Sequence, residues 1–290
     1  QGAGRGRGTG RLGARLAEPG GSLDLRGDWA GQPVAINLQA GRSKDGGLDL
    51  SFGDSHWASV KASGSLRLPP GATLPQGTVR FSAERLADLD LLIAPWVGPA
   101  SGPGLAGRLS ADLTLTDAGM ALIEAEGKGL RLPGPVEIGT LALSARVTEP
   151  LGIAQTQATL RLDGFALEQV SGDLSLTARG SAAALDLTAD AGVMAPTGPV
   201  KLAAGARLDA PARRLALQRV KAQVRGETLS LLAPAVLDFA DGLAVDRLRL
   251  GLRPGGTQAS VEIAGRALPR LDLTGTLSGR PLDLVRLIAA

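Results

Sequence analysis

The chain has 290 residues, with 31 Lys or Arg against 28 Asp or Glu, one His, no Cys and no Tyr. Its 44% apolar content excludes a disordered composition, and the missing Cys excludes disulfides and thiolate chemistry. A net charge of +3, with Arg and Asp interleaved, gives no broad basic field and argues against nucleic acid as a partner.

The chain begins mid-pattern at Gln1, without an initiator Met or a signal-like segment, and reads as part of a longer protein. Its opening contains Gly8-Thr9-Gly10-Arg11-Leu12-Gly13, a formal G-x-G-x-x-G. A dinucleotide loop needs a strand before it and a helix after it. Here nothing precedes the motif, and Leu12, Ala14 and Leu16 alternate after it, so it reads as a Gly-rich turn. An RGG-type nucleic-acid segment would interleave aromatics, and none are present.

Alternating apolar runs follow at Val34–Ala40, Leu48–Phe52 and Val79–Ala83. Such period-two patterns predict half-buried antiparallel strands. His56, the only histidine, sits beside Asp54 and Ser55. Neighbours on a strand point to opposite faces, so Ser55 and His56 do not form a catalytic pair, and one His without Cys makes no zinc site. Residues 85–97, RLADLDLLIAPWV, place Leu86, Leu89, Ile93 and Val97 at helical spacing, ended by Pro95 and Gly98.

Beyond this short helix the alternation resumes. Leu113 and Leu115, then Leu141, Leu143 and Val147, then Leu160 and Leu162 mark three strands. Leu174 and Leu176, a turn at Gly180-Ser181, and Leu185 and Leu187 predict a hairpin. Leu202 and Leu208 follow, then separate short runs at Leu215–Leu217, Ala222–Val224 and Leu248–Leu250, then Val261 and Ile263, and finally Leu271–Leu273. Further turns are expected at Gly46-Gly47, Pro69-Pro70-Gly71, Gly134-Pro135, Gly198-Pro199, Asp241-Gly242 and Pro254-Gly255-Gly256. Residues 281–290, PLDLVRLIAA, start with Pro281 in a first-turn position and predict a second short helix.

The organisation is therefore a β-repeat segment at 1–84, a helix at 85–98, a longer β-repeat segment at 99–280 and a terminal helix at 281–290. The paired carboxylates (Asp88 and Asp90, Glu124 and Glu126, Asp186 and Asp190) read as solvated charges on wet faces. No catalytic constellation, metal-ligand set or cofactor motif is present, and no enzyme is expected.

About 20 one-sided strands and two short helices pose a physical problem, because each apolar face must be covered. At about 4.8 Å per strand, such a sheet extends roughly 100 Å, and sheets that wide curl. The expected fold is all-β: a long, curled, mostly antiparallel sheet whose open apolar groove is floored by Leu113, Leu115, Leu141, Leu143, Val147, Leu160, Leu162, Leu174, Leu176, Leu185, Leu187, Leu202, Leu208, Val261 and Ile263.

Stretches such as GDLSLTARG, RLDLTGTLSGRPLD and GLAGRLSADLTLTDAG, the last following the short helix RLADLDLLIAPWV, resemble the AsmA-like superfamily, and within it the TamB-type translocation and assembly proteins. The resemblance implies a taco-shaped β-sheet in the periplasm of Gram-negative bacteria, within a protein anchored in the inner membrane. It implies phospholipid acyl chains as ligands, a role in outer-membrane biogenesis, and an Omp85-family barrel partner engaged through parts outside this segment. The alternative function is a scaffold whose β edge templates nascent outer-membrane strands.

Overall fold

A computed structural model describes residues 6–15, 18–29, 31–90, 104–132, 134–240, 242–252, 259–266 and 272–278. The fold is all-β: these residues form nineteen strands, every ladder between them antiparallel, and one 3-10 turn. The chain divides into two compact units, Gln1–Pro150 and Leu151–Ala290.

The first unit is a meander of nine strands: β1 (Gly6–Arg15), β2 (Glu18–Trp29), β3 (Gln32–Arg42), β4 (Leu48–Trp57), β5 (Val60–Leu68), β6 (Gln76–Ala83), β7 (Ala106–Leu115), β8 (Met120–Leu132) and β9 (Val136–Thr148). Each pairs with the next in sequence. The link from β6 to β7 begins with the 3-10 turn Leu86–Leu89, whose Leu86 is buried. That turn is fixed to the β4–β5 turn: the Ser59 N–H donates to Asp88 Oδ2 at 3.0 Å, and the Arg85 N–H donates to Ser59 Oγ at 3.0 Å. Residues 91–98 of the expected helix, and all of 281–290, lie outside the described residues.

The second unit contains β10 (Gln155–Leu167), β11 (Val170–Ser181), β12 (Ala184–Ala195), β13 (Gly198–Asp209), β14 (Arg214–Val224), β15 (Glu227–Leu231), β16 (Ala235–Asp238), β17 (Ala244–Leu252), β18 (Ala259–Arg266) and β19 (Asp272–Ser278). β15 and β16 act as one broken strand: both lie between β14 and β17. The break falls at Leu232–Pro234, where proline has no N–H for the ladder.

Three expectations are corrected. The Gly8–Gly13 motif is not a turn: it lies inside β1, which pairs along its whole length with β2. Gly180-Ser181 and Gly198-Pro199 are also strand residues, and the turns fall at 182–183 and 196–197. Leu215–Leu217 and Ala222–Val224 belong to one strand, β14, not two.

Register is written on the polar face. Directly opposed residues form ion pairs on several ladders: Arg80–Asp112 at 2.8 Å, Arg131–Glu137 at 2.8 Å, Arg214–Asp238 at 3.1 Å and Arg249–Glu262 at 3.2 Å. Solvent screening leaves the contribution of each exposed pair small. Together they penalise a one-residue slip, which would turn every apolar side chain to the wet face.

The β3–β4 turn is held electrostatically. The Ser43 hydroxyl, the Arg67 guanidinium and the Gly47 N–H hold the Asp45 carboxyl at about 2, below its ordinary 3.8. A depressed carboxyl stabilises the folded form above the ordinary Asp range and loses that effect as pH falls through its own lower value. The expected result is an Asp45 side-chain carbon signal titrating near pH 2. The turn's amides should shift with it, and Asp45→Asn should abolish the shift; a midpoint in the ordinary Asp range would show that the contacts do not persist in solution.

Candidate functional site: rows of apolar side chains

Directly opposed residues of an antiparallel ladder share a face. The pairing register therefore aligns apolar side chains of successive strands into rows crossing the sheet. In the first unit one row runs Leu23, Leu38, Phe52, Gly64, Val79, Leu113, Ile123, Ala145, from β2 to β9. Beside it run Gly21, Ala40, Leu50, Leu66, Gly77, Leu115, Ala121 and Val147. Leu143 and Leu141 end two further rows, through Phe81, Ala111 and Ala125, and through Ala83, Leu109 and Gly127.

The second unit repeats the design. Leu162, Leu174, Ala191, Leu202, Ala222, Leu229, Leu252 and Ala259 form one row. Leu160 and Leu176 lead to Ala189 and Ala204, while Leu187 lies between Ala178 and Ala206. Leu185 and Leu208 continue to Leu215, Leu237 and Val245. Val261 faces Leu250, and Ile263 faces Leu248.

All the residues expected to floor a groove thus lie on apolar rows, grouped within their own units. All are half-buried: none is exposed, and none is sealed. Only ten apolar side chains among the described residues are buried, and Leu252 is the one large side chain that is fully so. A second sheet packed on these rows would bury them as a sandwich core is buried. Among the described residues, these rows hold half-buried side chains rather than a sealed core.

The rows also extend beyond the residues expected to floor the groove. Phe52, Val79, Phe81 and Ile123 share the face with Leu113 and Leu143. Ile123 is masked in the sequence by Leu122, which sits on the opposite face opposed to Thr114. The polar groups among the rows include the Glu227 carboxylate, opposed to Val224 in line with Val200 and Val193. Ser55, beside a bulge in β4, bonds back to the chain: its Oγ accepts from the Asn37 N–H at 3.0 Å and donates to the Asn37 carbonyl at 3.3 Å. Thr156 stands opposite Gly180.

Depressions of about 520 and 600 Å³ lie on the other face. Polar side chains surround them, including Asp173, Asp190, Lys201 and Lys221 in the first, and Gln39, Asp49, Ser51 and Arg67 in the second. His56 is exposed on β4, opposed to Ala35 and Lys61, while Ser55 is committed to Asn37. Among the described residues no three His, Cys, Asp or Glu side chains gather as a metal site, and no helix is long and apolar enough to cross a membrane.

Neither the models of known families, nor the curated proteins, nor the solved structures contain a match to this chain.

Proposed function

We propose that the apolar rows bind phospholipid acyl chains, and that the chain is a periplasmic bridge segment moving lipid between the inner and outer membranes. One observation carries this reading: apolar rows cross strand after strand, and among the described residues most of their large side chains are half-buried rather than sealed. In this reading the sheet curls around its ligand as an open groove, and headgroups stay at the rim.

The energetics suit transfer. Burying each methylene gains about 0.8 kcal/mol, so a chain is held firmly overall. Successive rows offer a similar mixture of Leu, Val and Ala, so its free energy changes little as it slides. No chemical step is required of the segment. The full-length protein is then anchored in the inner membrane and meets an Omp85-family barrel through parts outside this segment, as in the TamB-type proteins that the sequence resembles.

The test is native mass spectrometry with lipid extraction on the chain purified from a bacterial envelope. Phospholipid at defined stoichiometry is expected. It should be lost from the variant with Leu174, Leu176, Leu185 and Leu187 all changed to Asp, and kept in Thr177→Asp, on the opposite face. A folded, lipid-free wild-type protein would overturn the reading and favour a strand-templating scaffold.

A further inference from the structure

The charge of the second unit is not evenly spread. Residues 198–226, the β13–β14 hairpin with its flanking turn residues, hold seven Lys or Arg and one carboxylate, Asp209. Outside this segment the acids outnumber the bases, since the whole chain is only +3. Interleaving along the sequence hides this, because the balancing Asp residues lie on other strands.

Some of these cations are engaged. Arg214 pairs with Asp238 at 3.1 Å, Arg207 approaches Asp186 at 4.0 Å, and Arg213 donates to the Ala240 carbonyl at 3.1 Å. Lys201, Arg219 and Lys221 have no ion-pair partner among the described residues, and all three are exposed on the polar face. The register places them together. Lys221 is opposed to Ala203, Arg219 to Gly205 and Lys201 to Gln223. Diagonal neighbours of this kind are about 7–8 Å apart, and residues two apart on one strand about 7 Å.

The surface between them is open. Gly192 and Ala203 line the depression of about 520 Å³ beside them, where Lys201 and Lys221 on β13 and β14 stand across from Arg161, Asp163, Asp173 and Asp190 on β10–β12. The stem of Arg219 lies across Gly205, where a Cβ would meet Arg219 Nε at 2.6 Å. Met194, 55% exposed, is opposed to Pro199 near the end of the same hairpin. The polar rows of β11–β15 present no aromatic ring on which a base could stack, which disfavours single-stranded nucleic acid.

We infer that the polar face of the β13–β14 hairpin docks on an anionic phospholipid bilayer, through Lys201, Arg219 and Lys221. Their unpaired charges complement lipid phosphates, and Met194 supplies an apolar contact at the interface. This surface lies on the opposite face from the acyl-binding rows and does not depend on them.

The test is co-sedimentation of the full chain with vesicles of phosphatidylcholine alone, or containing a third phosphatidylglycerol. Each cation near an anionic leaflet contributes roughly fivefold to partitioning. Partitioning to the anionic vesicles should therefore fall roughly 100-fold in the variant with Lys201, Arg219 and Lys221 all changed to Gln, and return when all three are changed to Arg. Raising the salt should remove the same component. The variant with Leu174, Leu176, Leu185 and Leu187 changed to Asp, which tests the acyl-chain reading, should leave the Lys- and Arg-dependent difference between vesicles intact. Equal partitioning to both vesicle types, or no loss in the Gln variant, would overturn the inference. So would a preference for a soluble polyanion such as heparin that abolishes vesicle binding without itself depending on these residues.

Discussion

Gly64→Ala is expected to destabilise the first unit by about 3 kcal/mol, measured as a lower urea midpoint. Gly64 lies on β5 at φ +155, and a Cβ there would stand 2.2 Å from the Thr78 carbonyl oxygen and 2.8 Å from the Val79 Cα. Both atoms belong to the backbone of β6, so no side chain can swing aside. The strain is reciprocal: Gly77 on β6, at φ +136, would direct its Cβ to 2.0 Å from the Ser65 carbonyl oxygen. These glycines let two neighbouring strands approach more closely, and twist more, than side chains permit. Gly192→Ala is the control. It meets nothing within 4 Å and needs no left-handed backbone, so its effect should stay within about 0.5 kcal/mol. Equal costs for the two substitutions would show that the close approach of β5 and β6 is not required.

Trp57→Ala carries the other large effect, about 3–5 kcal/mol. The first unit buries few large side chains, and Trp57, only 8% exposed, is the largest. It stands between Val34 and Val60 across its two ladders, and its ring packs on Trp29 at 5.4 Å with a 50° tilt. Its Nε1–H donates to the Trp29 carbonyl at 3.1 Å, satisfying the indole and tying β4 to the end of β2. Trp57→Phe keeps the packing and loses that bond, so it should cost only about 1–2 kcal/mol in the same unfolding measurement. A Trp57→Phe loss as large as that of Trp57→Ala would make the hydrogen bond, rather than the burial, the dominant contribution.

The strand character was legible wherever alternation ran uninterrupted. Leu109, Ala111, Leu113 and Leu115 announce β7, and Leu141, Leu143, Ala145 and Val147 announce β9. The failures have a common physical cause. A β-bulge inserts one residue and flips the parity of all that follow. On β14 the bulge lies where Gly205 faces Arg219 and Ala206 faces Leu217, so Leu215 and Leu217 share a face with Val220, Ala222 and Val224 although odd numbers become even. One strand consequently reads as two. The same switch separates Leu162 from Phe165 on β10, and Phe52 from Trp57 on β4.

Other strands were hidden by composition. β1 is rich in Gly, and β8 carries Leu122 out of phase and glycines at 127 and 129. β15 and β16 are too short for a period to establish itself. The candidate face was legible as a set of residues but not as rows. Which Leu stands beside which Ala depends on register, and register rests partly on cross-strand Arg–carboxylate pairs that are distant in sequence. The basic hairpin face was obscured for the same reason, because its charges cluster only once the strands are paired.

Within each unit nearly every ladder joins strands that are consecutive in the chain, the exceptions being the two around the broken strand β15–β16. Each hairpin then closes a short loop, and little chain entropy is spent on distant partners. Folding can start at any hairpin and zip outward, with stability summing over nearest neighbours. Each unit is editable in size: removing or duplicating one hairpin narrows or widens its sheet by about 10 Å while leaving the remaining rows in phase. Sheet width becomes a quantity that evolution can adjust two strands at a time, without redesigning a core.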